Sequence, residues 1–293
     1  MHLIARKLLL IALLIVSAFA TLAPTGALSV ASAPAPAADD YFLYIPKSVQ
    51  TDKPLQILVT IHGMGGEGKG FCADLLAQAE ANGWVVVSPT FFYRDYRVVS
   101  NVVGDEQTMM PRLRTIIDEL PTRTGLSFRS QVLLYGFSRG AQMVHRFAEW
   151  YPEKVLAVAL FSAGSYTLPR ATMNMNGTAQ NMSYPFGIAD LGAYNGGFFN
   201  EVAFRGVKYF VGVGGADAHI GDVPRDWDAV QGNNRVARAT SFYNTLVRMN
   251  MQPTMQVFSG VGHNVTPEMR AAALTFLKTQ ADQYSAWPVG LAA

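Results

Sequence analysis

Cysteine is nearly missing from this chain: Cys72 is the single one in 293 residues. No intramolecular disulfide can form, so the fold must rest on its core, which a chain of this size can build. Cys72 itself reads as a small buried hydrophobe on a helix face, with a reactive thiol as the alternative. Charge is also scarce, at 15% of residues and a net +2 with histidine neutral. With no dense Lys/Arg cluster and no basic helix, nucleic acid is not an implied partner, and there is no acidic tail either. No internal repeat is evident. What is plentiful is apolar: half the residues are hydrophobic. That balance points to a folded globular body with a large core, a length that α/β architectures use for one domain.

The first forty residues differ from the rest. Arg6 and Lys7 precede an apolar run from Leu8 to Val16 that continues through Ala18, Phe19 and Ala20. Small residues and prolines follow from Ala31 to Ala38. A short basic end, an apolar stretch shorter than a bilayer span and A-x-A sites make a secretory signal pattern. Ala18-Phe19-Ala20 and Ala31-Ser32-Ala33 are both acceptable cleavage sites, so residues 1–33 are expected to be signal peptide and leader. The alternative is an uncleaved anchor, the chain's only expected membrane contact. Either reading puts the remainder outside the cytoplasm, secreted or extracytoplasmic.

After the leader, strands and helices alternate across an expected single domain, 40–285. Tyr41–Ile45 reads as an edge strand. Leu55–Ile61, Trp84–Ser88, Gln131–Tyr135, Val155–Phe161, Val207–Val213 and Thr254–Phe258 read as core strands, mostly apolar and β-branched. Helical spacing marks Phe71–Ala81, residues 105–120, Gly140–Trp150, Asn234–Met249 and Met269–Tyr284. Pro111 leaves the first turns of the second helix open. Repeated β-α-β units imply an α/β fold, a mostly parallel sheet with helices on both faces. The rhythm breaks between Ser162 and Gly206. This long segment, rich in Asn, Gly, Met and aromatics, reads as a lid-like insertion or binding wall over 165–205, or else a surface excursion. Tyr184, Phe186, Tyr194, Phe198 and Phe199 favour the first reading.

The pentad Gly136-Phe137-Ser138-Arg139-Gly140 sits between a strand and a helix. In that setting a G-x-S-x-G serine is forced onto a sharp turn with its hydroxyl exposed. Side chains in place of the flanking glycines would collide across the turn, and the helix N-terminus points free N–H groups at the reacting centre. Ser138 is therefore the expected nucleophile, and it needs a base. His2 leaves with the leader. His62 is expected to fix its own loop, His145 to pack inside a helix or face solvent, and His219 to pair with carboxylates at the surface. His263 follows the last strand in a glycine-rich loop, at the sheet edge where sites gather, and is the expected base. An orienting carboxylate should lie between Ser and His in the chain. Asp217, just beyond Gly214 and Gly215, is the expected acid, with Asp222 its main rival and Asp226 and Asp228 behind. These acids do not have EF-hand spacing, and the expected chemistry uses no cofactor and no metal. Oxyanion donors are expected at the backbone N–H of Arg139 and, in the loop His62-Gly63-Met64-Gly65-Gly66, at Met64. The Arg139 side chain reads as solvent-facing or ion-paired, or as an anchor for an anionic substrate group.

The elbow GFSRG, the loop HGMGG and the terminal GVGHN resemble the α/β-hydrolase superfamily over about residues 40–285. Within it the chain looks most like the secreted polyhydroxybutyrate depolymerases and feruloyl esterases. The resemblance implies a serine esterase in which Ser138, Asp217 and His263 match the triad and Met64 and Arg139 match the oxyanion donors. It implies a small-molecule or polymeric ester as substrate. The chain departs from many members by lacking cysteine pairs and by carrying Arg139 after the serine.

Overall fold

A computed structural model describes residues 41–47, 49 and 52–285. The expected leader and its cleavage sites lie outside the described residues. The chain opens with β1 (Tyr41–Tyr44) and β2 (Gln56–Ile61). Two short helices follow, α1 (Gly68–Cys72) and α2 (Leu76–Asn82), and then β3 (Trp84–Pro89) and the long α3 (Val99–Thr124). The central unit is β4 (Val132–Phe137), α4 (Arg139–Trp150) and β5 (Val155–Phe161). A hairpin of β6 (Thr172–Met175) and β7 (Thr178–Asn181) leads to α5 (Gly192–Asn195), α6 (Glu201–Gly206) and β8 (Lys208–Gly214). Finally come α7 (Asp228–Gln231), α8 (Arg235–Arg248), β9 (Thr254–Phe258) and α9 (Pro267–Ser285).

Seven strands form one sheet in the order β1-β3-β2-β4-β5-β8-β9. Only β1 runs antiparallel, against β3; the other pairings are parallel. Strands this continuously apolar need cover on both faces, because alternate side chains point to opposite sides. Ile57, Val59 and Ile61 of β2 join the core shared with Leu113, Ile116 and Ile117 of α3, Val144 and Phe147 of α4 and Phe242 of α8. Leu58 of β2, with Leu133 and Tyr135 of β4, faces Leu75 and Ala79 and then Met269, Ala273 and Leu277 of α9. The architecture is the expected α/β sheet with helices on both faces.

Strand order reverses between β2 and β4: from β2 the chain goes outward to β3, then returns to pair β4 on the other side. At such a switch point the loops leaving neighbouring strands diverge and open a crevice at their C-terminal ends. Here those are the 62–66 loop after β2 and Ser138 after β4.

Two helices differ from their sequence pattern. The helix expected over 71–81 is broken by a 3-10 turn at Ala73–Leu75, and it ends at Gly83 with φ 65°. The helix expected over 105–120 starts six residues earlier and runs on to Thr124, with Pro111 and Pro121 inside it. Each proline removes one intrahelical bond, yet the apolar face from Met109 to Leu120 keeps the helix seated. Its early turns look polar because their buried residues are Asp105 and Glu106, matched by arginines on other elements.

Candidate active site

Ser138 is held in a conformation that few non-glycine residues adopt, φ 55° and ψ −116°. Its N–H bonds the Phe161 carbonyl at 2.9 Å, tying the turn to the end of β5. Such backbone costs of order 1–3 kcal/mol and persists only where its surroundings enforce it. The two glycines explain how the turn closes. A Cβ on Gly136 would lie 2.6 Å from the Gly140 carbonyl oxygen, and one on Gly140 would collide with the backbone oxygens of Ile61 and His62.

His263 reaches Ser138 from the loop after β9. Its Nε2 lies 2.9 Å from Ser138 Oγ, and its Nδ1 lies 2.8 Å from Asp217 Oδ2. The ring is tilted against Phe137, with centroids 4.8 Å apart. Asp217 is buried, as is its second partner, Arg235 at the first turn of α8, whose Nη1 donates to Oδ1 at 3.0 Å. Burial works to raise the Asp217 carboxyl, but the bond from His263 and the charge of Arg235 outweigh it and hold the group below the usual carboxylate value. Arg235 also donates from Nη2 to the Asp222 carbonyl at 2.7 Å, fixing the loop that carries both acids.

The structure thus brings Ser138, His263 and Asp217 into one hydrogen-bonded series. Asp222, the rival acid, is exposed and lies 3.4 Å from His219 and 4.0 Å from Arg235. His219 sits in that surface pair, as its neighbours in the sequence suggest. His145 is buried in α4: Nδ1 meets the Ala141 carbonyl and Nε2 accepts the Thr167 N–H. Burial holds it well below the ordinary histidine value, so it stays neutral. His62 accepts the Phe91 N–H at Nε2, leaving Nδ1 to donate to the Gly63 carbonyl at 2.7 Å. It pins the 90–93 loop to the 62–66 loop.

Gly63 is packed against the serine, since a Cβ there would lie 3.2 Å from Ser138 Cβ. Met64 and Arg139 both border the cavity beside Ser138. Arg139 is the first helical residue of α4, whose N–H has no intrahelical acceptor. Its side chain is ion-paired, one of the expected alternatives, and not solvent-facing: it is buried over the Tyr93 ring and bonded to Glu106 at 2.6 Å.

The cavity measures about 300 Å³ and is bordered by Gly63, Met64, Tyr96, Gln142, Asp222 and Arg235 around Ser138 and His263. No described residue of 165–205 lines it, so that segment is not the expected wall. Its rings pack elsewhere: Tyr184 lies on Trp150, Phe186 on Trp227, and Phe199 on Phe204, while Phe198 is exposed. What sequence reading missed are Arg235 and Gln142, polar residues with no motif, brought here by α8 and α4.

No family model and no curated protein sequence matches the chain. Solved structures do. Poly(aspartic acid) hydrolase-1 from Sphingomonas sp. KT-1 superposes with a TM-score of 0.58 at 20% identity, over 84% of this chain and 90% of that one. A phospholipase/carboxylesterase from Dyadobacter fermentans gives 0.54 at 14%, over 81% and 95%. A ferulic acid esterase from Anaeromyces mucronatus, in complex with ferulic acid, gives 0.52 at 15%, over 82% and 84%. The fold of the chain is the α/β-hydrolase fold.

Proposed function

We propose that this chain is an exported serine hydrolase that cleaves carboxylic esters through an acyl-enzyme intermediate. One observation carries the reading: a strained serine whose Oγ lies 2.9 Å from an imidazole that is bonded through its other nitrogen to a buried carboxylate. His263 takes the Ser138 proton as Oγ attacks the ester carbonyl. Asp217 keeps the proton-bearing nitrogen on its own side and stabilises the imidazolium that forms. The N–H groups of Met64 and Arg139 hold the oxyanion. His263 then returns the proton to the leaving alcohol. Water, activated by the same ring, releases the acid.

The likenesses to a carboxylesterase and a ferulic acid esterase support an ester as substrate. The likeness to poly(aspartic acid) hydrolase-1 favours a second reading, an amide-linked substrate cleaved by the same residues. Export rests on the basic and apolar opening of the sequence. The test is turnover of short chromogenic esters and matched amides by the native protein and by Ser138→Ala. Native turnover of esters, lowered by at least about 10³-fold in the variant, is expected. Equal slow hydrolysis by both proteins would refute the mechanism, and faster amide than ester turnover would favour the second reading. A phosphonate ester should label Ser138 and no other residue.

A further inference from the structure

Gln142 lies one turn into α4, four residues beyond Ser138, and its neighbours orient its amide. The side-chain oxygen Oε1 accepts from Arg139 Nη1 at 3.2 Å, from Arg146 Nη1 at 3.4 Å and from the Ser165 hydroxyl at 3.2 Å. Turning the amide over would set its NH2 against two guanidinium groups, donor against donor. Nε2 must therefore point the other way.

The residue is 2% exposed, yet Nε2 is not among the buried polar atoms sealed from open space, and no acceptor among the described residues takes it. The space that Gln142 borders is the cavity beside Ser138. Gly164 leaves that side open, since a Cβ there would come within 3.0 Å of Nε2. Of the other side chains around the cavity, three have their terminal donors engaged, although Arg139 Nε and Arg235 Nε have no partner among the described residues. Arg139 is paired with Glu106, Arg235 with Asp217, and the Tyr96 hydroxyl with the Asp222 carbonyl. Nε2 is a fixed donor that opens onto the cavity, where an acceptor carried by a ligand can meet it.

We infer that Gln142 selects the acyl group, donating from Nε2 to a neutral oxygen carried on a small acyl chain: an ether, carbonyl or hydroxyl close to the reacting carbonyl. The inference rests on the ester-hydrolase reading above. The acyl group is the part that stays on Ser138 Oγ through both steps, so a donor fixed on α4 meets it in each. A neutral acceptor fits better than a carboxylate. Arg139 lies against Asp105 and against Glu106, which it shares with Arg146; Arg235 lies against Asp217, and Asp222 adds a negative charge at the cavity. The 300 Å³ space suits a short chain.

Two pairs of p-nitrophenyl esters differing only by CH2 to O test this: butanoate against methoxyacetate, and pentanoate against 3-methoxypropanoate. Each kcat/KM is divided by the hydroxide-catalysed rate of the same ester, which removes the intrinsic reactivity of the ether. The native chain should favour the oxygen-bearing member of at least one pair by about tenfold. Gln142→Glu keeps an oxygen for Arg139, Arg146 and Ser165 but replaces the donor by an acceptor, and it should lower that ratio by about tenfold or more. Gln142→Met, without donor or charge, should bring the ratio near one. Phosphonate labelling of Ser138 in each variant reports that the site is intact. Native ratios near one in both pairs, or ratios that neither variant moves, would overturn the assignment alone. If the native chain cleaves none of the four esters, the ester-hydrolase reading falls and takes the assignment with it.

Discussion

A carboxylate with two buried oxygens needs two partners, and Asp217 has one on each: His263 on Oδ2 and Arg235 on Oδ1. Asp222 has neither, although it lies only five residues on in the same loop. The two acids therefore separate experimentally. Asp217→Asn should lower kcat by about 10³–10⁴-fold, since an amide favours the wrong histidine tautomer. Asp222→Asn should cost less than about tenfold, because the side chain is exposed and does not touch His263. Steady-state rates on one chromogenic ester decide it; a larger loss in the Asp222 variant would reverse the assignment. The sequence narrowed the acid to this loop by its place between Ser138 and His263. Within the loop it favoured Asp217 for its place just beyond Gly214 and Gly215, but it did not show Arg235, which α8 brings in from 18 residues away.

At the level of elements, one carboxylate joins three parts of the chain. Glu106 of α3 accepts from Arg139 and Arg146 of α4 at 2.6 and 2.7 Å, and from the Tyr184 hydroxyl at 2.5 Å. It is fully buried, and Arg139 is the residue that follows the serine. Removing one member of a buried charge cluster leaves the others without compensation and costs about 3–5 kcal/mol. Glu106→Ala should lose about that much stability in a denaturant titration, and less than 1 kcal/mol would show the cluster to be slack. This cluster also explains why the start of α3 was hidden from its sequence pattern. Hydrophobic periodicity finds faces buried by apolar residues, and this face is buried by ions. The segment 165–205 misled for a related reason. Its aromatics were rightly expected to leave water, but composition does not say which surface they cover, and they cover Trp150 and Trp227 rather than the serine.

Across the whole molecule, stability should depend on pH through Glu149. It is fully buried in α4 and neither of its carboxyl oxygens has a hydrogen-bond partner. Burial holds it well above the ordinary carboxyl value, against the pull of Arg146. A group raised in the fold binds its proton there after the unfolded chain has released it. Stability is therefore lost as pH climbs from the unfolded value toward the folded one, at about 1.4 kcal/mol per pH unit. Gln mimics the protonated form at every pH. Glu149→Gln should match the native melting temperature near pH 4 and exceed it at pH 8, by roughly 2–4 °C for each kcal/mol relieved. An equal shift at both pH values would mean that folding does not raise the Glu149 carboxyl.

Taken by itself, the sequence determined the alternation of strands and helices and the sheet class, and it singled out Ser138 and His263 as the candidate nucleophile and base. All of these are local: a buried strand shows its own apolar run, and an elbow shows its own glycines. The tertiary structure alone decided that Arg235 braces Asp217, where the 165–205 segment packs, and that Gln142 borders the cavity beside Ser138. Those outcomes depend on pairings between residues far apart in the chain. A polar side chain carries no mark of its partner until the sheet order brings the two together.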